Sequence, residues 1–284
     1  MAKEKNKTTK IITLCPVRIN FSAGWSDQLE WKYPSAVVNA SVGWRVNPKD
    51  DPYPLIFFEN TFRSKIAGKG TGLGISSILA SAQYIHQNYS SLDKNKYIKV
   101  ALEWENKQGT KGGWQDQIGA IEGGFKLITS ENHKTFDIRH RNDHPIMNHL
   151  ILFDSGIRRP AKHIGDQIRM LFKDKNFTLA MKKNVEIAKL TFDSNAKEFA
   201  LATLDCWKRL TSFVPDMKVN NLPYLPNCWG KMFVGAGGGG WGLYFAENPS
   251  DRPELIKLLN DRGFDAYIPE LLDGIKNIKL TPRK

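Results

Sequence analysis

Asp116 stands in KGGWQDQIG, residues 111 to 119, between two glutamines and just after two glycines and a tryptophan. Glycines free the backbone to bend close to a substrate, and a carboxylate beside them can take or orient the proton of an attacking hydroxyl. The same letters also fit a structural turn with an exposed aspartate. Upstream, GKGTGLGISS, residues 68 to 77, sets four glycines ahead of apolar residues at helical spacing, Ile78, Leu79, Ala82 and Ile85. A helix is expected to open at Ser76 or Ser77. Backbone N–H groups can converge on an anion there and the helix N-terminus adds partial positive charge, so phosphate is the natural guest, with a flexible turn as the alternative. Lys69 precedes the glycine core, so the stretch is not a Walker loop. Ser77 falls where its hydroxyl could reach a metal ion beside that phosphate.

A second glycine run, GAGGGGWG at residues 235 to 242, formally matches a dinucleotide fingerprint through Gly235, Gly237 and Gly240. The fingerprint needs a helix after the glycines, whereas WGLYFAE reads as strand. A tight hairpin passing close to another loop or a ligand fits better, and makes Gly237 and Gly238 candidate substrate contacts. CPVRINFSAGWSDQLEW, residues 15 to 31, leaves a strand and gathers Arg18, Ser26 and Asp27 around Gly24. Asp27 is either a polyol-binding carboxylate or an ordinary turn aspartate. His140, His144 and His149 have metal-like spacing but lie in a polar loop with no helix to align them, and a ligand role is not expected.

The elements that must carry these residues follow from hydrophobic rhythm. IITLCPVRI, AVVNASVGWRV and PLIFF are β-branched or aromatic and read as strands, as do GGFKLIT, HLILFD, KMFV and WGLYFAE. KNKYIKVALEWEN reads as a helix broken by QGTKGG, and residues 161 to 213 are largely helical, with Ile164, Ile168 and Leu171 on one stripe. Asp251 is an N-cap candidate for a last helix that Gly263 ends. Helices and strands mix without a strict βαβ rhythm, so the class is α+β. We expect a basic tail at 1–10, one lobe at 11–150 and a second at 151–284.

Composition narrows the function classes. The 284 residues and 41% hydrophobic content suffice for a real core. Apolar runs are too short for a membrane span, the start MAKEKNKTTK lacks a signal-peptide apolar segment, and Cys15, Cys206 and Cys228 show no paired spacing. A soluble, cytoplasmic protein without a membrane partner is expected, with the oligomeric state open. The net charge of +12 asks for an acidic partner, either nucleic acid or small phosphorylated molecules. Basic residues are dispersed with no cluster interleaved with aromatics, which argues against nucleic acid.

The order of these motifs resembles that of the GHMP kinases, small-molecule kinases named after galactose, homoserine, mevalonate and phosphomevalonate. Within them RINFSAGWSD, KGTGLGISSILA, GGWQDQIG, SGIRRPAKHI and GAGGGGW are most similar to L-fucose kinases, and less closely to D-glycero-D-manno-heptose 7-phosphate kinases, from about Pro16 to Ala246. The resemblance implies a two-lobed fold, a ribosomal-protein-like N-terminal lobe and a ferredoxin-like C-terminal lobe. It also implies ATP and Mg²⁺ as cofactors and a sugar or sugar phosphate as partner, phosphorylated on its anomeric hydroxyl. Lys69, Gly70, Thr71, Gly72, Leu73, Gly74, Ile75, Ser76 and Ser77 then match the nucleotide loop, Ser77 and Glu105 the metal ligands, and Asp116 the catalytic aspartate.

Arg18 matches an arginine that steadies the reacting oxygen or orients Asp116. Trp25, Ser26, Asp27 and Gly113 match the sugar site. Trp114 could stack on a sugar or pack in the core. Arg159 recurs in the resemblance, while Arg158 replaces a small polar residue and could grip a phosphate on the substrate. About twenty residues lie between Val46 and Gly68, where these kinases carry a longer insert beside the adenine, which leaves nucleotide preference open. A catalytically weak sugar or nucleotide sensor is the alternative, and a nucleic-acid binder a remoter one. A sensor should have lost one of Ser77, Glu105 or Asp116.

Overall fold

The computed structural model describes residues 10–58, 61–66, 71–87, 94–107, 112–159, 161–220 and 222–280. Pro16, which has no N–H to give a ladder, divides the first apolar run into β1 (Lys10–Cys15) and β2 (Val17–Ser22). β3 (Ser35–Gly43), β4 (Leu55–Phe58) and β5 (Thr61–Ser64) follow. Three helices come next, α1 (Ile75–Gln87), α2 (Lys94–Lys107) and α3 (Gln115–Glu122), then β6 (Phe125–Ser130), β7 (Asp137–His140) and β8 (Leu150–Asp154). The helical stretch divides into α4 (Ala161–Leu171), α5 (Lys175–Thr191) and α6 (Ala196–Phe213). β9 (Cys228–Phe233), β10 (Trp241–Ala246), α7 (Arg252–Asn260), β11 (Asp265–Tyr267), β12 (Glu270–Leu271) and β13 (Lys276–Leu280) complete the chain.

The strands form three sheets, ordered β13-β1-β4-β5, β12-β3-β6-β7 with β2 also on β3, and β11-β8-β10-β9. The last two strands return to the first two sheets, so residues from both sides of position 150 build them. β2 and β3 are buried along their whole length, because helices cover both faces of their sheet: α3 packs on one side, α5 and α6 on the other. Toward α5 and α6 the sheet sends Val17, Ile19, Phe21, Ala36, Val38 and Ala40, which join Phe192 and Phe199 in the main core. The opposite face turns Arg18, Asn39, Ser41 and Lys126 toward α3, by the period-2 alternation of strands.

Two details depart from the sequence reading. α1 starts at Ile75, a residue or two before the expected serines, because Gly74 takes a positive φ of 71° at its entrance. Asp251 does precede α7, yet its carboxylate accepts from Asn248 and Ser250 instead of capping the helix. The second glycine run is followed by strand β10, as the hairpin reading requires, and its backbone lies on the first run. Trp241 N–H donates to Thr71 O (2.9 Å), and a methyl at Gly72 would sit 2.6 Å from Val234 O. At Gly235, where φ is 65°, a methyl would overlap the Gly72 carbonyl.

This contact predicts unequal costs for two left-handed glycines. Gly235→Ala meets both backbone strain and a collision, and should lower stability by about 2–4 kcal/mol in urea unfolding. Gly263→Ala, at φ 82° with nothing within 4 Å, should lose only about 1–2 kcal/mol. Equal losses would mean that the two glycine runs do not touch.

Candidate active site

Asp116 is the second residue of α3, a helix that the sequence reading missed; glycines precede its start and Gly119, a poor helix former, lies within it. Its N-cap position is held by Trp114, whose side chain cannot accept from the free N–H groups of the first turn. Asp27, from the turn after β2, does so instead. Gln115 N–H donates to Asp27 Oδ2 (3.3 Å) and Gln115 Nε2 to Asp27 Oδ1 (3.0 Å). Gly113 is required just before the helix because any side chain there would overlap the Asp27 carboxylate. Burial first, and then the negative charge of Asp116, push the Asp27 carboxyl up to about 6, against the lowering pull of Gln115 N–H and Arg18.

The Asp116 carboxylate is ion-paired to Arg18 Nη2. Arg18 is 5% exposed and Asp116 19%, so the pair is open to solvent on the aspartate side. Arg18 Nε and Nη1 are buried and have no acceptor among the described residues. The glycine loop meets this pair directly. Arg18 N–H donates to Leu73 O (3.3 Å), and a methyl at Gly74 would lie 3.0 Å from the Asp116 carboxylate. Ile75, Ser76 and Ser77 follow as the first turn of α1, so that helix N-terminus opens beside Asp116. Positive φ at Gly72 and Gly74, small size and the N-terminus of α1 make a cradle whose chemistry suits an anion such as polyphosphate.

Beneath α3 the sheet is polar. Asn39 Nδ2 donates to Gln115 O (3.3 Å), Ser41 Oγ to Gly119 O, and Lys126 Nζ to Ser41 Oγ (3.1 Å) and Gly124 O (3.0 Å). All three side chains are fully buried. The sequence reading passed over Asn39, Ser41, Lys126 and Gln115. The signal for Asn39 and Ser41 was the alternation of SAVVNASVG, which puts both on one face and resembles an ordinary solvent-facing strand side.

The remaining expected residues scatter around this centre. Ser26 is buried and donates to Ala36 O (3.3 Å); Trp25, at φ 76°, is half-buried beside a small cleft lined by Asn20, Gly24, Trp207, Met217 and Gly235. Trp114 is corrected from sugar platform to core: it is fully buried among Val37, Ile98, Ile118 and Ile128, and its Nε1 donates to His133 Nδ1 (3.1 Å). Arg158 makes a two-pronged ion pair with Asp154 (2.7 and 2.5 Å), a carboxylate with which any phosphate would have to compete. Arg159 lies near Gly238 and donates to Asp216 O (3.4 Å), while Gly237 abuts Trp207 and Met217. His140 pairs with Glu122, His144 accepts from Ile146 N–H, and His149 stacks on Trp229. Lys69 and Gly70 lie outside the described residues, as does the side chain of Glu105 on α2. No helix among the described residues is long and apolar enough to cross a membrane.

The fold is that of the GHMP kinases. It superposes on a D-glycero-D-manno-heptose 1-phosphate kinase from Bacteroides thetaiotaomicron with a TM-score of 0.69 at 16% identity, covering 96% of this chain and all of that one. On a galactokinase from Lactococcus lactis the score is 0.68 at 12% identity, over 95% of both chains. No family model matches the chain. Its relatives by sequence carry the names of sugar kinases: it is 27% identical over 222 residues to a bifunctional fucokinase/GDP-fucose pyrophosphorylase of Arabidopsis thaliana, covering 70% of this chain and 21% of that protein. It is 29% identical over 216 residues to an L-fucokinase/L-fucose-1-P guanylyltransferase of Bacteroides fragilis, covering 68% and 23%. It is also 24% identical over 246 residues to a D-glycero-alpha-D-manno-heptose 7-phosphate kinase of Campylobacter jejuni, covering 80% and 72%. The chain thus spans about a fifth of the length of the two fucokinase relatives.

The Asp27 environment predicts a stability signature that needs no substrate. From its ordinary 3.8 up to about 6, the native carboxyl keeps a proton that the unfolded chain has released. Native stability from this group therefore falls as pH rises through that interval. Relative to Asp27→Asn, wild type should lose roughly 1–3 kcal/mol between about pH 4 and 6 in urea unfolding. A difference that does not change with pH would contradict the buried assignment.

Proposed function

We propose that the chain is a sugar kinase that transfers the γ-phosphoryl group of ATP to the anomeric hydroxyl of a fucose-like or heptose 7-phosphate-like sugar, giving a sugar 1-phosphate. The observation that carries the reading is the contact between Gly74 and the Asp116 carboxylate, which sets a glycine-built backbone turn at a helix N-terminus against an acidic side chain held by a buried arginine. The names of the sequence relatives support the substrate class.

On this reading Asp116 takes or orients the proton of the sugar hydroxyl, and Arg18 keeps the carboxylate aimed. The remaining Arg18 N–H groups stabilise negative charge gathering on the reacting oxygen. Lys69, Gly70, Thr71, Gly72, Leu73, Gly74, Ile75, Ser76 and Ser77 would hold the nucleotide phosphates, and Ser77 with Glu105 would hold Mg²⁺. When bound, ATP supplies the phosphoryl group and the metal offsets its charge. Trp25, Ser26, Asp27 and Gly113 would border the sugar, with Arg159, from the segment after β8, and Gly237 and Gly238 of the second glycine loop closing the site. Residues 11–150 would form the nucleotide lobe and 151–284 the other, β12 and β13 excepted.

A coupled phosphotransfer screen of free and phosphorylated aldoses against several nucleotide donors tests the reading. One acceptor should turn over, and Asp116→Asn should slow its chemical step by about 10²–10⁴-fold while nucleotide affinity stays within a few fold. Full turnover by Asp116→Asn would remove Asp116 from the reaction.

A further inference from the structure

Lys126 lies on β6 with no exposed surface, beneath the helix that carries Asp116. Placing an ammonium there is unfavourable, since its hydrogen-bond partners are a hydroxyl and a peptide carbonyl. The geometry gives the charge a use. An ammonium has donors only, so Ser41 Oγ must accept from it and direct its single proton elsewhere, to the carbonyl of Gly119. Gly119 is three residues past Asp116 on α3, and a methyl there would sit 3.1 Å from Arg18 Cγ. A continuous chain of contacts therefore runs from Lys126 through Ser41 and Gly119 to the Arg18–Asp116 pair. Gly124 O does not depend on the lysine, because Ser41 N–H also donates to it (3.0 Å).

We propose that Lys126 is a positioning residue for the Arg18–Asp116 pair: charged, it keeps the Ser41 proton on Gly119 O and so fixes the seat of α3 on the sheet. Without that ammonium the Ser41 hydroxyl is no longer made to accept on its lysine side, and its proton is free to leave the Gly119 carbonyl. The inference rests on the kinase reading only for what Asp116 does, not for how α3 is held.

The surroundings make this arrangement sensitive to pH. Burial, and then the positive charge of Arg18 on β2, depress the Lys126 ammonium to about 7, against the raising effect of Glu122 on α3. β3 contributes only the neutral Asn39 and Ser41, and β7 brings His140 opposite Lys126, with its Nε2 3.9 Å from Glu122 Oε2. Above about pH 7 the native amine is neutral while the unfolded chain stays protonated up to about 10.5, so stability from this group rises with pH across that interval. Below it the charged lysine is a standing cost. A chain that retained Lys126 for stability alone would gain from an apolar replacement.

Lys126→Met and Ser41→Ala test the proposal. With the sugar found in the phosphotransfer screen, each should lower kcat by about 10- to 100-fold with KM within about threefold, and the double variant should lose little more. Wild-type kcat/KM should fall above pH 7 and the Lys126→Met profile should lack that fall, while its unfolding midpoint at pH 6 stays at or above wild type. Amide hydrogen exchange of the ligand-free protein needs no turnover. After correction for the intrinsic rate, α3 amides should be less protected in Lys126→Met than in wild type at pH 6, where the wild-type lysine is charged. Unchanged kcat and exchange in Lys126→Met, or activity lost only in proportion to stability, would overturn the proposal. Absence of phosphotransfer in wild type would remove the kinase reading and leave exchange to decide the role of Lys126.

Discussion

The segment from Thr71 to Gly74 is held on two sides by neighbours that crowd out a side chain at Gly72 and at Gly74. Val234, Gly235 and Trp241 of the second glycine run press on Thr71 and Gly72, and the Asp116 carboxylate presses on Gly74. Arg18 ties the same segment to β2 through its backbone N–H and ties Asp116 to the same place through its guanidinium. One residue of the sheet thus registers the loop against the helix. Everything proposed for the site depends on that shared register, because phosphoryl transfer relies on positioning and charge placement more than on covalent help from the protein.

The helix that presents Asp116 is seated by buried charges at both ends. Asp27 accepts from its first turn and Lys126 acts on its last through Ser41, an acid at the positive end of the helix dipole and a base toward the negative end. Both groups have their ionisation pushed toward neutral pH by burial, which marks each as unfavourable for folding and costly to keep charged. An apolar interface would have held α3 more cheaply, as Val37, Ile118 and Ile128 do a turn away. Hydrogen bonds to Gln115 O and Gly119 O specify rotation and height, which apolar packing leaves looser. Active sites commonly give up stability for geometry in this way.

Much of this could be read from the chain. Both glycine runs, the strands around them and the polar setting of Asp116 follow from local composition, because turns and β-branched runs are governed by nearby residues. α3 was not legible: its cap comes from Asp27, 88 positions earlier, and no local pattern announces a cap supplied from a distant turn. Lys126 in FKLIT reads as the solvent side of a strand until α3 is known to cover it. Trp114 was ambiguous for a related reason, since the core that buries it draws on α2, β3 and β6. The return of β12 and β13 to the first two sheets is likewise a long-range pairing without a local signal.

A crystal structure with a non-hydrolysable ATP analogue, Mg²⁺ and the accepted sugar bears most directly on the central claim. The account predicts the terminal phosphate on the Gly72–Gly74 backbone, with the reacting hydroxyl within hydrogen-bond distance of Asp116 and Arg18 beside it. A nucleotide bound elsewhere, or an Asp116 carboxylate separated from the sugar by protein, would contradict it.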